Sequence, residues 1–449
     1  MQIFNNKSIY IILYYFINNI NTYCECYQCC ECCKLCCLIC KKPKIPEIPN
    51  ISNNNNKNHN IDNNNDDNEI IYNSKIDNNE ELLSSKEERC IQDFNLLDDD
   101  KIAICYKAGI FNIHKIIEKD NKFTFENIIH KEDDEYCFNK IIKLKDNKIL
   151  LVSEDGTIKI YKIDYNLKKV DLFQKIEPNN NDTINTVIEL KNGDIAIGCW
   201  KEVIIYNLNN DNYEEKKRYY FGTYCCSILE IEPNIISVTN CDKNTLFIID
   251  LNKCNDKIIA VYDDLTKSYL NNKNLNDKGI VKIDNIKSGE YSNNQVYLKD
   301  KKLLFVANSE DINSENTCVG GINIIDINNK KLLKYIDLDY GLNSLSIINN
   351  YNKENSTFEI LGGCKIKIYG EKVNFKYNIA QFEFDLKDIN NINFKVISEL
   401  ERAHYCGITK IQNSLYSKNC NNLIFNKDNK NQIIFTIGSE DKLMKIFKI

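Results

Sequence analysis

LLVSEDGTIKIYKI, running from Leu150 to Ile163, is the stretch from which the fold can be read. A near copy, FTIGSEDKLMKIFKI, runs from Phe435 to Ile449. Both contain an apolar run, a Ser-Glu-Asp turn, and a second run ending aliphatic, aromatic and aliphatic around two lysines. Ser153, Asp155, Ile160 and Tyr161 align with Ser439, Asp441, Ile446 and Phe447. Two apolar runs of strand length joined by a short polar turn predict a β-hairpin. Two alike hairpins nearly three hundred residues apart predict an internal repeat, which fixes the architecture before other features are weighed.

Five weaker copies follow from the template: Lys101–Ile116, Asp194–Leu208, Ile235–Leu251, Leu303–Ile327 with an insertion at its turn, and Phe358–Tyr369. An apolar run precedes each hairpin, as at Phe138–Leu144, Ile184–Leu190 and Ile408–Ile411. Most are followed by a fourth, as at Val170–Ile176, Lys257–Tyr262 and Leu332–Leu338. Seven units of four strands, with a period of about 48 residues, predict an all-β fold: a single seven-bladed β-propeller of four-stranded blades, preceded by a disordered N-terminal tail.

The units resemble the WD-repeat (WD40-like) β-propeller family, with degenerate repeats. SEDGTIKIYKI and SEDKLMKIFKI are similar to that family's second strand, Asp-bearing turn and third strand, and Ala403-His404 resembles its His-bearing entry to a first strand. The resemblance implies a structural His404–Asp441 contact inside the last blade, with Asp155 at the matching turn position of the second. It spans about Ile70 to Ile449. The chain departs from the family in lacking the Trp-Asp pair: Tyr161, Tyr206, Ile249, Ile325, Tyr369 and Phe447 stand where Trp is usual, and only the last unit carries the His.

Bulk properties narrow the function classes. The 449 residues suffice for one propeller, and the formal net charge is −6. Arginine occurs only at Arg89, Arg218 and Arg402, and no basic stripe is present to neutralise nucleic-acid phosphates. Of 21 cysteines, nine fall between Cys24 and Cys40, and the rest are scattered, many inside predicted strands. That distribution argues for reduced, buried thiols rather than a disulfide framework.

The N-terminal region divides into a short apolar segment (1–23), a Cys-rich tail (24–42) and an Asn/Pro-rich linker (43–68) with too little apolar content to fold. The apolar run Ile9–Ile17 is too short to span a bilayer. The tail, CECYQCCECCKLCCLIC from Cys24 to Cys40, has three readings: S-acylation at Cys29, Cys30, Cys32, Cys33, Cys36 and Cys37, metal binding through its C-x-x-C pairs, or no fixed role. The propeller is expected over 69–449. Its last blade lacks an outer strand of its own, and Glu69–Ile76, or alternatively Glu81–Ile91, is expected to supply one and cover the open edge. Residues 264–293 read as a long polar insertion, more in keeping with a disordered loop than with structure.

The sequence shows no constellation for catalysis. Its four His residues lack H-E-x-x-H spacing, and nucleophile-elbow and phosphate-loop motifs are missing. Gly320-Gly321 and Gly362-Gly363 are expected in hairpin turns, and the repeated Asp155 and Asp441 fit backbone bonding within a turn. Trp200, the single tryptophan, is expected either to pack a blade or to stand exposed as an anchor on one rim. The resulting expectation is a non-enzymatic, cytoplasmic protein–protein interaction scaffold, monomeric by itself, with no cofactor, no metal and no nucleic-acid partner. The alternatives are the same scaffold tethered peripherally to a membrane by its tail, and a propeller enzyme with a channel active site.

Overall fold

The computed structural model describes residues 81–83 and most of 91–448; residues 1–80, 84–90, 366–378, 401–407 and 415–432, several shorter connections and the side chains of the final sheet lie outside the described residues. The chain divides into Met1–Glu69 and Ile70–Ile449, and every described strand belongs to the second unit.

Seven sheets succeed one another as the blades of a β-propeller, their strands lettered a to d in chain order. Blade one holds Ile91–Asp98, Lys101–Tyr106, Ile110–Lys119 and Lys122–Glu132, and blade two Phe138–Leu144, Lys148–Ser153, Ile158–Asp164 and Lys169–Ile176. Blade three holds Ile184–Glu189, Ile195–Cys199, Glu202–Asn209 and Asn212–Tyr220; blade four holds Cys225–Glu232, Ile235–Asn240, Thr245–Asp250 and, after a detour, Ile280–Ile283. Blade five holds Gln295–Leu298, Leu303–Ile312, Thr317–Asp326 and Lys331–Leu338, and blade six Gly341–Asn352, Thr357–Lys365, Ile379–Asp385 and Asn393–Leu400. Blade seven takes Ile408–Ser414, Ile433–Gly438 and Met444–Lys448, and its fourth strand is Glu81–Leu83, antiparallel to Met444–Lys448. The closing strand thus falls in the second window expected from sequence, whereas Glu69–Ile76 lies outside the described residues.

The a strands of successive blades lie side by side, so strand a lines the axis and strand d forms the rim. In an antiparallel meander the a–b and c–d turns share one end, here the lower face. The b–c turns and the d–a connections share the other, upper face. Strands b and c are covered by the adjacent blade on both sides. They are therefore buried almost throughout, as in Lys148–Ser153 and Thr245–Asp250, whereas strands a and d alternate. The core consequently lies between blades: Phe111 meets Tyr161 at 5.2 Å across blades one and two, and Phe305 meets Phe384 at 5.0 Å across five and six.

The register reveals repeats hidden in the sequence. In six blades the pairing of strand a with strand b skips one residue near the start of strand a, the third in blade six and the second in the others: Gln92, Asn139, Asn185, Cys226, Asn343 and Thr409. Such a bulge bends the strand and frees one residue from the ladder. In the a–b turns Asn147, Asn234, Lys302 and Ser356 have positive φ, and each carbonyl accepts the amide of the residue at or just beyond the end of strand c, at 2.8–3.0 Å. A third repeat is the place that Trp holds in the resembled family. Opposite the start of strand b stand Tyr161, Tyr206, Ile249, Ile325, Phe384 and Phe447, and in blade one His114.

Several local expectations are corrected. Residues 264–293 include ordered structure: the second strand of a small hairpin (Tyr262–Asp263 with Ser268–Tyr269), a helix, α1 (Asn272–Asp277), and the strand Ile280–Ile283 that completes blade four. The run Lys257–Tyr262 is not that blade's outer strand; Ile258–Ala260 pairs in parallel with strand d of blade three as a fifth strand. Strand c of blade six is Ile379–Asp385, so Phe384 holds the place assigned to Tyr369, which lies outside the described residues. Gly320, Gly321, Gly362 and Gly363 lie inside strands. There close packing, not turn geometry, demands glycine: a Cβ on Gly321 would sit 1.8 Å from the Ile336 carbonyl oxygen. The reading of reduced thiols fails at Cys226, which is disulfide-bonded. A pairing made by tertiary contact leaves no trace in Cys spacing.

Candidate functional site

After strand c of blade four the chain leaves the meander for about thirty residues, Leu251 to Gly279, before returning for strand d. Apolar residues spaced along that detour explain its course. Leu251, Cys254, Ile259, Val261 and Leu275 enter the core between blades three and four beside Tyr219, Phe221 and Phe247. Asn271 caps α1 by accepting the Asn274 amide at 2.9 Å, and Leu275 is its buried residue. Lys217 is buried and donates to the carbonyls of Leu251 and Cys254, pinning the start of the detour; burial lowers its pKa. Beside it Arg218 is bidentate to Glu215, at 2.7 and 3.2 Å, and also bonds Glu202. The amide of Arg218 donates to Lys257 at 2.8 Å, where the parallel pairing begins.

These contacts deliver the hairpin to the upper face. The amides of Phe221 and Gly222 both donate to the Lys201 carbonyl, at 2.7 and 3.1 Å, folding the d–a connection against the b–c turn of blade three. Gly222 has φ +67°, and a Cβ there would meet the Tyr262 ring at 2.2 Å, so only glycine allows the hairpin to seat. Tyr269 packs edge-on against Tyr262 at 5.5 Å and Phe247 at 5.0 Å. Its hydroxyl meets Thr223 Oγ1 at 3.2 Å and accepts from Asn240 Nδ2 at 2.9 Å. Tyr220 donates to Asp264 Oδ2 at 2.8 Å, and its phenol is pushed up to about 12 by desolvation and then by that carboxylate.

What this framework presents is apolar. Trp200, in the b–c turn of blade three, is 49% exposed and stacks edge-on against Tyr224 at 5.3 Å; Leu265, at the hairpin tip, is 94% exposed. Asp263 accepts from the Leu265 amide and from Thr266 Oγ1, both at 3.0 Å. Among the described residues, Asp263 and Asp264 receive neutral donors and no ion pair. Asp264 thus sits at the Tyr220 hydroxyl and Asp263 within the Tyr262–Tyr269 hairpin, so both carboxylates stand beside aromatic rings.

Of the residues singled out from sequence, Trp200 is an exposed rim residue. Asp155 works within its own turn, accepting the Thr157 amide at 3.0 Å and the Thr157 hydroxyl at 2.7 Å. His404, Asp441, Cys29, Cys30, Cys32, Cys33, Cys36 and Cys37 lie outside the described residues. The hairpin residues Tyr262, Asp264, Leu265 and Tyr269 escaped the sequence reading. The available signal was the aromatic run Tyr219-Tyr220-Phe221 with Tyr224 close behind, followed by a break in the repeat period. Among the described residues no group of His, Cys, Asp and Glu is arranged to hold a metal ion, and no helix is long and apolar enough to cross a membrane.

No family model matches the chain, and no curated protein matches it by sequence. Solved structures do match by fold. Chaetomium thermophilum Sqt1, bound to the N-terminus of ribosomal protein L10, aligns over 80% of this chain and 84% of its own, with a TM-score of 0.51 and 12% identity. Saccharomyces cerevisiae Sqt1 aligns over 83% and 99%, with a TM-score of 0.49 and 10% identity. The C-terminal WD40 domain of Sif2 aligns over 83% and 98%, with a TM-score of 0.45 and 10% identity. Seven successive antiparallel sheets make this chain a seven-bladed β-propeller, the fold it shares with C. thermophilum Sqt1. The single seven-bladed propeller of four-stranded blades expected from the repeat is the observed fold.

Proposed function

We propose that this propeller is a non-enzymatic protein–protein interaction scaffold and that a partner docks on its upper face where blades three and four meet. The observation that carries this reading is the pair Trp200 and Leu265, large exposed apolar side chains, one in the b–c turn of blade three and the other at the tip of the segment added to the repeat. A chain that orders about thirty extra residues and leaves two such groups in water has placed them where a partner can bury them. A rigid scaffold presenting irregular loops is also the usual setting for binding. Fold alone does not assign function, but a propeller of the same fold, C. thermophilum Sqt1, is seen holding a polypeptide N-terminus.

The test is capture of partners from the native cell by the tagged full-length chain, beside a Trp200→Ala/Leu265→Ser variant. The partners held by the natural chain should be depleted at least tenfold by the double substitution. An unchanged set of stoichiometric partners would overturn the assignment of the surface, and the absence of any stoichiometric partner would overturn the scaffold.

A further inference from the structure

We propose that the blade three–four patch recognises an arginine set beside a large apolar residue in an extended partner segment; this rests on the docking surface proposed above and specifies its chemistry. Three features converge. Trp200 and Tyr224 offer aromatic surface at the rim, with Trp200 half-exposed. Asp263 and Asp264 stand on the neighbouring hairpin with only neutral donors among the described residues. Leu265, at the tip of that hairpin, is almost fully exposed.

A guanidinium suits this arrangement better than other groups. It stacks on an indole or phenol face, where the ring quadrupole attracts it, while its edge donates to a carboxylate. An ammonium is a more strongly hydrated point charge that cannot do both in one plane. A phosphate or a carboxylate would be repelled by Asp263 and Asp264. Lys201 is exposed in the same turn as Trp200, Lys282, 5.9 Å over the Tyr269 ring, is already paired with Asp284 at 3.1 Å, and exposed Glu154 in the equivalent turn of blade two adds negative charge on the same face. The chain's net charge of −6 favours approach of a cationic segment. Leu265 then supplies the contact for an apolar neighbour of the arginine.

The chain's single tryptophan lies in the patch, so intrinsic tryptophan fluorescence reports this site alone. The full chain is titrated with an acetylated peptide of alternating arginine and leucine, with the glutamate–leucine peptide, and with the lysine–leucine peptide. The arginine peptide is expected to shift Trp200 emission and to bind at least tenfold more tightly than the glutamate peptide and severalfold more tightly than the lysine peptide. An Asp263→Asn/Asp264→Asn variant should lose about tenfold. Asp171→Asn, on the outer strand of blade two, should lose nothing and so separates the site from bulk charge. Equal binding of the arginine and glutamate peptides, an unmoved emission spectrum, or equal loss in the two charge variants would overturn the inference. The capture experiment judges the docking surface separately: loss of native partners with Trp200→Ala/Leu265→Ser, beside indifferent peptide binding, would retain the surface and reject arginine.

Discussion

The lower face and the upper face at blades three and four solve different problems with the same strands. On the lower face one blade's turn is tied to the next by a recurring bond. Glu189 accepts the Lys145 amide at 3.0 Å, and one blade further on Glu230 accepts the Lys191 amide at 2.7 Å and the Asn234 amide at 3.0 Å. Lys302 pairs with Glu232 across the next junction. The upper face at blades three and four carries no such repeat. It is built from the b–c turn of blade three and the detour between strands c and d of blade four, and it presents exposed Trp200 and Leu265. Repetition goes with holding blades together; departure from the repeat goes with presenting something. The contrast makes a direct claim: substitutions in clamps and foundations cost stability, and substitutions at the presented tips cost binding.

The largest stability effect is expected beneath the patch. Arg218 is 12% exposed and holds Glu202, 6% exposed, and Glu215, 21% exposed. The hydrogen bond to Glu215, ahead of the opposing desolvation, raises the arginine's pKa. Arg218→Ala removes the cation that bonds both Glu202 and Glu215, while the backbone bond of residue 218 to Lys257 stays. Breaking a buried pair in this way costs about 3–5 kcal/mol. Urea unfolding should show that loss. A change under about 1 kcal/mol would mean the foundation is dispensable and would blur the contrast.

Next comes a pH effect in blade one, remote from the patch. His114 is buried where the other blades place Tyr, Ile or Phe, and among the described residues neither ring nitrogen has a hydrogen-bond partner. Burial lowers its pKa from 6.5 to about 4. Between those values the unfolded chain binds a proton that the folded chain refuses, so stability is full above about pH 6.5 and falls as the pH drops toward 4. The loss between pH 7 and pH 5 is about 2 kcal/mol. His114→Tyr restores the aromatic of the repeat and should remove most of that slope. An equal slope in the variant would place the acid sensitivity elsewhere.

The architecture was legible in the sequence because strands b and c are buried on both sides. Double burial turns them into near-continuous apolar runs, which is why LLVSEDGTIKIYKI and its copies stand out. The rest was hidden for physical reasons. Gly362 and Gly363 read as a turn because local chemistry cannot show that another side chain, Leu342, will press against Gly362. Ile258–Ala260 read as blade four's own strand because a parallel pairing to the preceding blade leaves no local mark. Leu265 sits among Asp, Thr and Lys, in a composition that reads as a loop. Only its delivery by Gly222, Tyr262 and Tyr269 gives it meaning. Trp200 was visible as a lone large aromatic, and the structure resolves its two readings in favour of exposure.

A middle-sized effect sharpens the account of the lower face. Glu230 receives two backbone amides, one from its neighbour's turn and one from its own. Glu230→Ala removes both charge-assisted bonds at a half-buried site, a loss of about 2 kcal/mol. Partner capture should be unchanged once the variant is compared at a temperature where it remains folded. Loss of partners at full foldedness would mean that the lower face also binds, and the division of labour would fail.

The smallest stability effect carries the most information. Leu265 is 94% exposed, and its backbone is held by Asp263 rather than by its own side chain. Leu265→Ser therefore removes almost no buried area and should change unfolding free energy by less than about 0.5 kcal/mol. An apolar anchor that a partner covers is worth about 1.5–3 kcal/mol on full burial, equivalent to roughly ten- to hundredfold in affinity. The two measurements, unfolding and partner capture, should thus diverge for this residue and move together for Arg218. If Leu265→Ser instead lowers stability by more than about 1 kcal/mol, the side chain packs against the protein itself, and the exposed tip is part of the foundation. If both measurements stay unchanged, Leu265 is neither, and Trp200 alone is left to mark where the upper face meets its partner.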